Sequence, residues 1–149
     1  MSSEQNAAFV RRWFDEVWNQ GREEAVDEML AEHAVGHGVG DTPIRGPADF
    51  RPYLRAFRSA VRDLHVDVED VISEGDRVAV RCSGRLTFAD GRTVNLDGGG
   101  FIRLENGKIV EAWNQWNYLD MLTDMGDLPP GFLLHALAKR RGGRDSAPA

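Results

Sequence analysis

Cysteine and long apolar runs are scarce in this sequence of 149 residues. Its one cysteine, Cys82, cannot form an intramolecular disulfide, which suits a reducing compartment. No apolar run approaches the roughly 18 residues that a membrane span needs, and the first residues lack the charged-then-apolar pattern of a signal peptide. These absences predict a cytoplasmic protein with no membrane partner.

Basic side chains are fewer than acidic ones, 18 against 24. The formal net charge is -6, although Lys139, Arg140, Arg141 and Arg144 all lie at the C-terminal end. A body this acidic repels phosphate backbones, so we expect no nucleic-acid partner. Length and composition fit one globular domain, predicted over residues 1–140, with a disordered tail over residues 141–149.

Helical spacing of apolar residues predicts three helices in the first part of the chain. The first begins at a capping box at Ser2 and ends at Gly21. The second covers about residues 22–32, and the glycine-rich stretch after it allows a short strand near residues 35–39 at most. A third helix begins near Pro47.

After Asp63 the apolar period changes to two, which predicts strands. Tight turns separate strands at residues 65–72, 77–88, 93–104 and 108–116, and such turns join antiparallel neighbours. Helices at residues 118–125 and 130–140 follow. The order of elements predicts an α+β fold, a cone-shaped curved antiparallel sheet packed on three N-terminal helices, with a C-terminal helix.

Four stretches carry a family resemblance. They are VRRWFDEVWNQG at residues 10–21, AEHAVGH at 31–37, the stretch 45–81 that begins RGPADF, and NGKIVEAWNQWN at 106–117. In these stretches and in its fold the chain resembles the nuclear transport factor 2-like superfamily and, within it, the SnoaL-like polyketide cyclases and ester cyclases. The resemblance implies cofactor-independent cyclisation, dehydration or isomerisation of a bulky, apolar, polyketide-like small molecule.

The last strand departs from the family pattern. Relatives typically place an acidic residue after a tryptophan there, whereas this chain has Asn114, Gln115 and Asn117. The side-chain amides of Asn and Gln do not act as a general acid or base near neutral pH. The Arg, Asp and Asp of limonene epoxide hydrolases fall at Cys82, Gly84 and Gln115. The alternative is therefore a non-catalytic small-molecule-binding or dimerisation module, and whether the chain is an enzyme stays open.

His37 is the candidate proton acceptor or donor. It matches a histidine that follows the second helix in ester-cyclase-like relatives, and the resemblance implies a place at the pocket mouth. Histidine titrates near neutral pH. The amides of Asn114, Gln115 or Asn117 are candidates to position a carbonyl group. No metal site is expected with His33, because the segment is broken by glycines and lacks a third ligand.

Strand register decides which of the last-strand residues face the cone. Regular alternation turns Trp113, Gln115 and Asn117 inward, whereas a bulge of one residue exchanges this set for Asn114 and Trp116. Asn117 also suits the N-cap of the following helix, and we give capping more weight than ligand contact.

Small inward residues on two other strands predict a hollow. It would hold a bulky apolar ligand, or else the glycines mark bends and close approaches of the chain. The aromatic residues of the first and third helices are typical of a core and, in this fold, also of a cavity wall. The candidate substrate-binding residues are Trp18, Tyr53, Phe57, Cys82, Gly84, Gly98, Gly100, Trp113 and Trp116.

Two further surfaces predict assembly. The outward strand residues mix charges of both signs with one aromatic ring, which favours a homodimer. They are Arg81, Ser83, Arg85, Asn95, Asp97, Phe101 and Arg103. The C-terminal helix carries an apolar stripe that includes Phe132, Leu133 and Leu137. We expect this stripe to cover the open end of the cone or a partner subunit, or to pack against the first helix.

Overall fold

Five α-helices and six β-strands make up the chain in a computed structural model that describes the backbone of residues 1–145 and the side chains of residues 1–141. The helices are α1 Ser3–Arg12, which continues as a π-helix over Trp13–Asn19, α2 Glu23–Met29, α3 Gly46–Ser59, α4 Tyr118–Met125 and α5 Phe132–Asp145. The strands are β1 Leu30–His37, β2 Ile44–Arg45, β3 Asp63–Glu74, β4 Arg77–Thr87, β5 Thr93–Glu105 and β6 Lys108–Trp116. The α+β fold is confirmed.

The strands form one curved sheet in the order β2-β1-β6-β5-β4-β3. Strands β3 to β6 are the predicted antiparallel meander. Strand β1 differs from the prediction, because it is longer and runs parallel to β6. Helix α2 ends early, since the backbone at Leu30 is already extended and Leu30 and Ala31 are buried against the sheet.

The first helix has the predicted capping box. The Ser2 hydroxyl accepts a hydrogen bond from the Gln5 amide at 3.1 Å, and the Gln5 side chain accepts one from the Ser2 amide at 2.8 Å. The π-helix that follows turns more widely than an α-helix. Its adjacent residues Trp13 and Phe14 are both buried, and so is Val17. This segment therefore presents a broad apolar face to the sheet.

The core lies between the helices and the inner, concave face of the sheet. Alternation along β4 is as predicted, with Val78, Val80 and Leu86 buried while Arg81 and Arg85 are exposed. A β-strand with such alternation has one face in the core and one toward solvent. The two faces of the sheet therefore differ in chemistry along their whole length.

Helix α5 does not bury its apolar stripe against the rest of the described chain. Leu133 and Leu137 of the stripe are 53% and 57% exposed, whereas Phe132 and Ala136 are half-buried. Packing over the cone or against α1 within one chain is therefore not what the structure shows. The helix continues to Asp145, past the predicted boundary, while residues 146–149 of the predicted tail lie outside the described residues. None of the helices in residues 1–145 has the length and apolar character of a membrane span.

Candidate functional site

A cavity of about 90 Å³ lies between the inner face of the sheet and the helices. Aliphatic and aromatic side chains form nearly all of its wall, and among the described residues no Asp, Glu, His, Lys or Arg lines it. The lining includes Trp13, Phe14, Trp18, Leu30, Val39, Ile44, Phe50, Tyr53, Phe57, Leu64, Val66, Gly84, Leu86, Leu96, Ile102, Ile109, Ala112, Asn114, Trp116 and Tyr118. A concave, apolar site with few polar groups is the usual form of a small-molecule pocket.

Aromatic rings from two helical segments form one wall. The Trp18 ring meets Phe50, Tyr53 and Phe57 edge-on, at centroid distances of 5.7, 6.3 and 5.6 Å. Trp13 lies 5.2 Å from Phe50 in a tilted contact. Such pairs add to the free energy of burial and fix ring orientation. The wall is therefore a packed surface rather than a set of loose side chains.

A bulge in β6 sets the residues that this strand contributes. Leu104 pairs with Ile109 and Arg103 with Glu111, so one extra residue, Val110, interrupts the ladder. Ile109 and Val110 are both buried. Beyond the bulge the alternation is reversed from that of a regular strand.

Because of this reversal, Ala112, Asn114 and Trp116 line the cavity. The expectation that Trp113 and Gln115 face inward is wrong. The register observed is the alternative one, in which a bulge of one residue exchanges the inward and outward sets. Two adjacent apolar residues in an otherwise alternating strand were the sequence signal for it.

The polar side chains of the lining are neutral. The Tyr53 hydroxyl donates to the Val39 carbonyl at 2.8 Å. Burial, with a smaller contribution from Tyr118, raises the pKa of Tyr53 to about 12, and burial also raises the pKa of Tyr118. Asn114 donates from Nδ2 to the His37 carbonyl at 3.0 Å. Near neutral pH these groups offer hydrogen bonds but no charge.

Tyr118 differs from Tyr53 in having a free hydroxyl. Among the described residues no group is hydrogen-bonded to the Tyr118 side chain, and the ring lines the cavity at the start of α4. The amide oxygen of Asn114 is likewise without a partner in the described part of the chain. One donor and one acceptor are therefore open to a ligand.

His37 lies on the other side of the sheet. Its Nε2 is 2.9 Å from Oε2 of Glu111, and its ring stacks on Trp113 at 5.8 Å with an interplanar angle of 19°. The hydrogen bond from His37 lowers the pKa of Glu111, and Arg103 contributes in the same direction. The guanidinium of Arg77 lies 5.8 Å from the centroid of the Trp113 ring.

The His37 side chain therefore does not lie at the pocket mouth, where we expected it. The physical reason is register. His37 pairs with Trp113 across β1 and β6, and the bulge at Val110 turns Trp113 and Glu111 outward. The imidazole follows its two neighbours to the outer face.

Three other candidates also lie outside the lining. Gln115 is exposed beside Phe101 on the outer face. Asn117 is the N-cap of α4, as we weighted it, and its Oδ1 accepts from the Asp120 amide at 3.1 Å. Cys82 is 1% exposed, and burial raises the pKa of its thiol to about 12, so it is an inert core residue.

The glycines divide between the two interpretations. Gly84 lines the cavity and also lies close to β5, since a Cβ there would be 2.4 Å from the Leu96 carbonyl oxygen. A Cβ on Gly98 would lie 2.4 Å from the Gln115 carbonyl oxygen, and a Cβ on Gly100 would lie 2.1 Å from that of Trp113. Gly98 and Gly100 therefore serve the close approach of β6 and leave no room for a ligand.

Sequence reasoning identified part of the site. Of the candidate residues, those in the lining are Trp18, Tyr53, Phe57, Gly84, Asn114 and Trp116. It missed Tyr118 and Val39, which the topology brings to the cavity. The signal for Tyr118 was its position directly after the N-cap Asn117, where the sheet ends and a helix begins.

The curved sheet closed by helices over an apolar cavity places this chain in the nuclear transport factor 2-like class of folds. A family model for SnoaL-like polyketide cyclases matches residues 8–125. The chain belongs to this family. No curated protein matches the sequence significantly.

Solved structures agree with this assignment. IdmH from Streptomyces antibioticus, a proposed polyketide cyclase, is 27% identical over 82% of this chain and 99% of its own, with a TM-score of 0.72. AclR from Streptomyces galilaeus, a proposed hydroxylase, is 24% identical over 97% of this chain and 96% of its own, with a TM-score of 0.74. An LEH-like epoxide hydrolase from M. tuberculosis is 18% identical over 92% and 98%, with a TM-score of 0.71. The last two show a shared fold alone.

Proposed function

We propose that this protein binds a neutral, polyketide-like small molecule in its cavity and promotes cyclisation of that molecule without a cofactor. The observation that carries the proposal is the lining, which is apolar and aromatic apart from Tyr53, Tyr118 and Asn114. Moving an unpaired charge out of water into such a site is costly, so the lining favours a neutral ligand. The similarity to IdmH, a proposed cyclase, supports the ligand class.

Cyclisation suits this lining better than dehydration or isomerisation. Those two reactions remove a proton from carbon and need a base, and the described lining has no carboxylate or imidazole. Ring closure of a ligand that is already an enol needs no such base: the enol carbon bonds to a carbonyl carbon, the carbonyl π bond breaks, and the proton of the enol hydroxyl ends on the new alcohol oxygen. Ring closure gains most from holding the two reacting ends together. Well-oriented intramolecular reactions lower the barrier by up to about 7–11 kcal/mol through this effect alone.

The two open polar atoms have separate roles in the proposal. The Tyr118 hydroxyl donates a hydrogen bond to a carbonyl oxygen of the ligand, and it stays protonated because its pKa is raised. The Asn114 amide oxygen accepts from an enol hydroxyl. Together they fix the folded ligand against the aromatic wall formed by Trp18 and its neighbours.

A second candidate is a non-catalytic binding protein with the same cavity. The same lack of an acid or base in the lining favours it. The experiment is incubation with linear polyketide analogues followed by mass spectrometry of all recovered species. A cyclase yields a product that has the mass of the substrate and a new retention time, whereas a binder returns the ligand unchanged.

Variants keep this experiment interpretable. Ala112→Phe fills the cavity from β6 and should abolish both turnover and retention of the ligand. Gln115→Ala, on the outer face of the same strand, is the matched control and should leave both intact. Equal turnover in the Ala112→Phe variant, with its fold confirmed by circular dichroism, would reject the cavity as the site.

We also propose that the outer face forms a homodimer. Phe101 is 57% exposed and pairs in register with Trp113, so two aromatic side chains lie together on a face that otherwise carries charge of both signs. Aromatic and arginine side chains dominate the binding free energy of many interfaces. A two-fold axis through this patch brings each ring against its copy.

A further inference from the structure

The segment of residues 38–43, which joins β1 to β2, closes one side of the cavity. Val39 lines the cavity, whereas Gly38, Gly40, Asp41 and the remaining residues of the segment are exposed. One apolar side chain is therefore the segment's main contact with the core. A segment with so few buried contacts opens at a low cost in free energy.

One hydrogen bond holds this segment directly and a second holds the residue before it, and both donors are side chains of the cavity wall. Tyr53 donates from its hydroxyl to the Val39 carbonyl at 2.8 Å. Asn114 donates from Nδ2 to the His37 carbonyl at 3.0 Å, just before the segment begins. The polar groups that a ligand meets inside the cavity are thus also the groups that keep it closed.

Glycines with positive φ lie at the start of the segment and directly after β2. Gly38 has φ +77°, and Gly46, which follows β2, has φ +64°, so each end has a backbone conformation that glycine adopts without strain. Strand β2 has two residues and lies at the edge of the sheet, paired with β1 alone. Rotation at the two glycines displaces this edge without breaking the meander.

The size of the cavity requires such a movement. An apolar cavity of about 150 Å³ is known to hold one benzene molecule. The cavity here has about 90 Å³. A polyketide-like molecule therefore enters only when part of the wall moves, and the segment at residues 38–43 is the part with the fewest contacts.

We infer that residues 38–43 form a lid latched by Tyr53, and that a ligand carbonyl releases the latch by replacing the Val39 carbonyl as the acceptor of the Tyr53 hydrogen bond. This inference rests on the proposed function, because it needs a ligand in the cavity. It gives Tyr53 a positioning role that differs from that of Tyr118, whose hydroxyl holds no backbone group.

Amide hydrogen exchange of the free protein tests the latch without any ligand. Tyr53→Phe removes the hydrogen bond and keeps the ring, so exchange of the amides that pair β1 with β2, at Val35, Gly36, Ile44 and Arg45, should become about five-fold faster, as expected for the loss of one hydrogen bond. Tyr118→Phe removes a hydroxyl from the same cavity and should leave this exchange unchanged. Equal exchange in the wild type and Tyr53→Phe overturns the latch.

Stopped-flow tryptophan fluorescence with 2-acetylnaphthalene, a neutral aromatic ketone, tests the lid. Tyr53→Phe should raise the association rate constant. Gly40→Ala should lower it about two- to five-fold, because alanine restricts the segment. A Cβ at this position has Tyr53 Cε2 as its nearest neighbour, at an ordinary contact distance of 4.0 Å. Association rates that neither variant changes overturn the lid, whatever the exchange shows.

The two proposals fail in different ways. If the wild type does not bind the ketone, or any larger neutral aromatic ketone, the proposed function is rejected. The exchange measurement then still decides whether Tyr53 holds residues 38–43, since it uses the free protein. If the ketone binds but its association rate is the same in all variants, the proposed function stands and the lid is rejected.

Discussion

The inner and outer faces of the same sheet carry different chemistry on adjacent residues. On β6, Asn114 and Trp116 belong to an uncharged cavity, while Glu111 and Trp113 belong to an outer cluster with His37. The outer cluster holds an imidazole and a carboxylate. The inner face holds groups that stay neutral, because burial raises the pKa of both tyrosines.

This division shows that residue type alone does not locate an active site. A histidine paired with a carboxylate suggests proton transfer when it is seen in isolation. Here the pair lies where no described cavity wall receives a substrate, and the site that can enclose a molecule has no such pair. We therefore propose binding at the inner face and assembly at the outer face.

The largest expected contrast is in stability. Leu86→Ala, on the inner face of β4, removes a side chain that is 2% exposed and should lower the free energy of unfolding by about 2–5 kcal/mol. Arg85→Ala, its exposed neighbour, should change it by no more than about 0.5 kcal/mol. Urea unfolding measures both, and comparable losses would show that the two faces are not distinct.

The next contrast concerns assembly. Phe101→Glu puts a charge in the centre of the proposed dimer interface and should weaken dimerisation by about 30-fold or more, as expected for a side chain worth about 2 kcal/mol. Sedimentation velocity over a range of concentrations gives the dissociation constant. Thr93→Glu, exposed near the start of the same strand, is the control and should leave the dimer intact. A wild type that is monomeric throughout would end the dimer proposal.

The residues that face the core were predictable from the sequence only where a strand alternates regularly. The inward set of β4 was predictable, because its apolar residues recur at every second position from Val78 to Leu86. The inward set of β6 was not, because Ile109 and Val110 are both apolar and either can face the core. Only pairing with β5 shows which one is the extra residue.

Tertiary contacts decided the remaining positions. The length of β1 depends on its parallel pairing with β6, a contact between distant parts of the chain that no local pattern reveals. Tyr118 looked like the start of a helix and became a cavity residue, because α4 folds back beside β5. The capping box at Ser2, by contrast, is a local feature and was predictable.

A smaller effect separates the faces by titration. Both tyrosines of the chain line the cavity, so the phenolate absorbance reports on the inner face alone. Tyr53 should ionise near pH 12 instead of its ordinary 10.0, and Tyr118 above its ordinary value. Because the pKa of Tyr53 is higher in the folded state, its contribution to stability is complete below about pH 10 and is lost as the pH rises from there toward 12.

The Tyr118→Phe variant assigns that titration to Tyr53. A spectrophotometric titration of the wild type with its midpoint at the ordinary pH 10.0 would mean that the rings are hydrated and the cavity wall is open.

The central claim, that the inner cavity is the ligand site, is tested most directly by the indole signals of the four tryptophans. Trp13, Trp18 and Trp116 line the cavity, and Trp113 stacks on His37 outside it. In a ¹H–¹⁵N titration with 2-acetylnaphthalene, the account predicts that the three inner indole signals shift with one common dissociation constant while that of Trp113 stays in place. A shift of Trp113 with the inner three unmoved would contradict it.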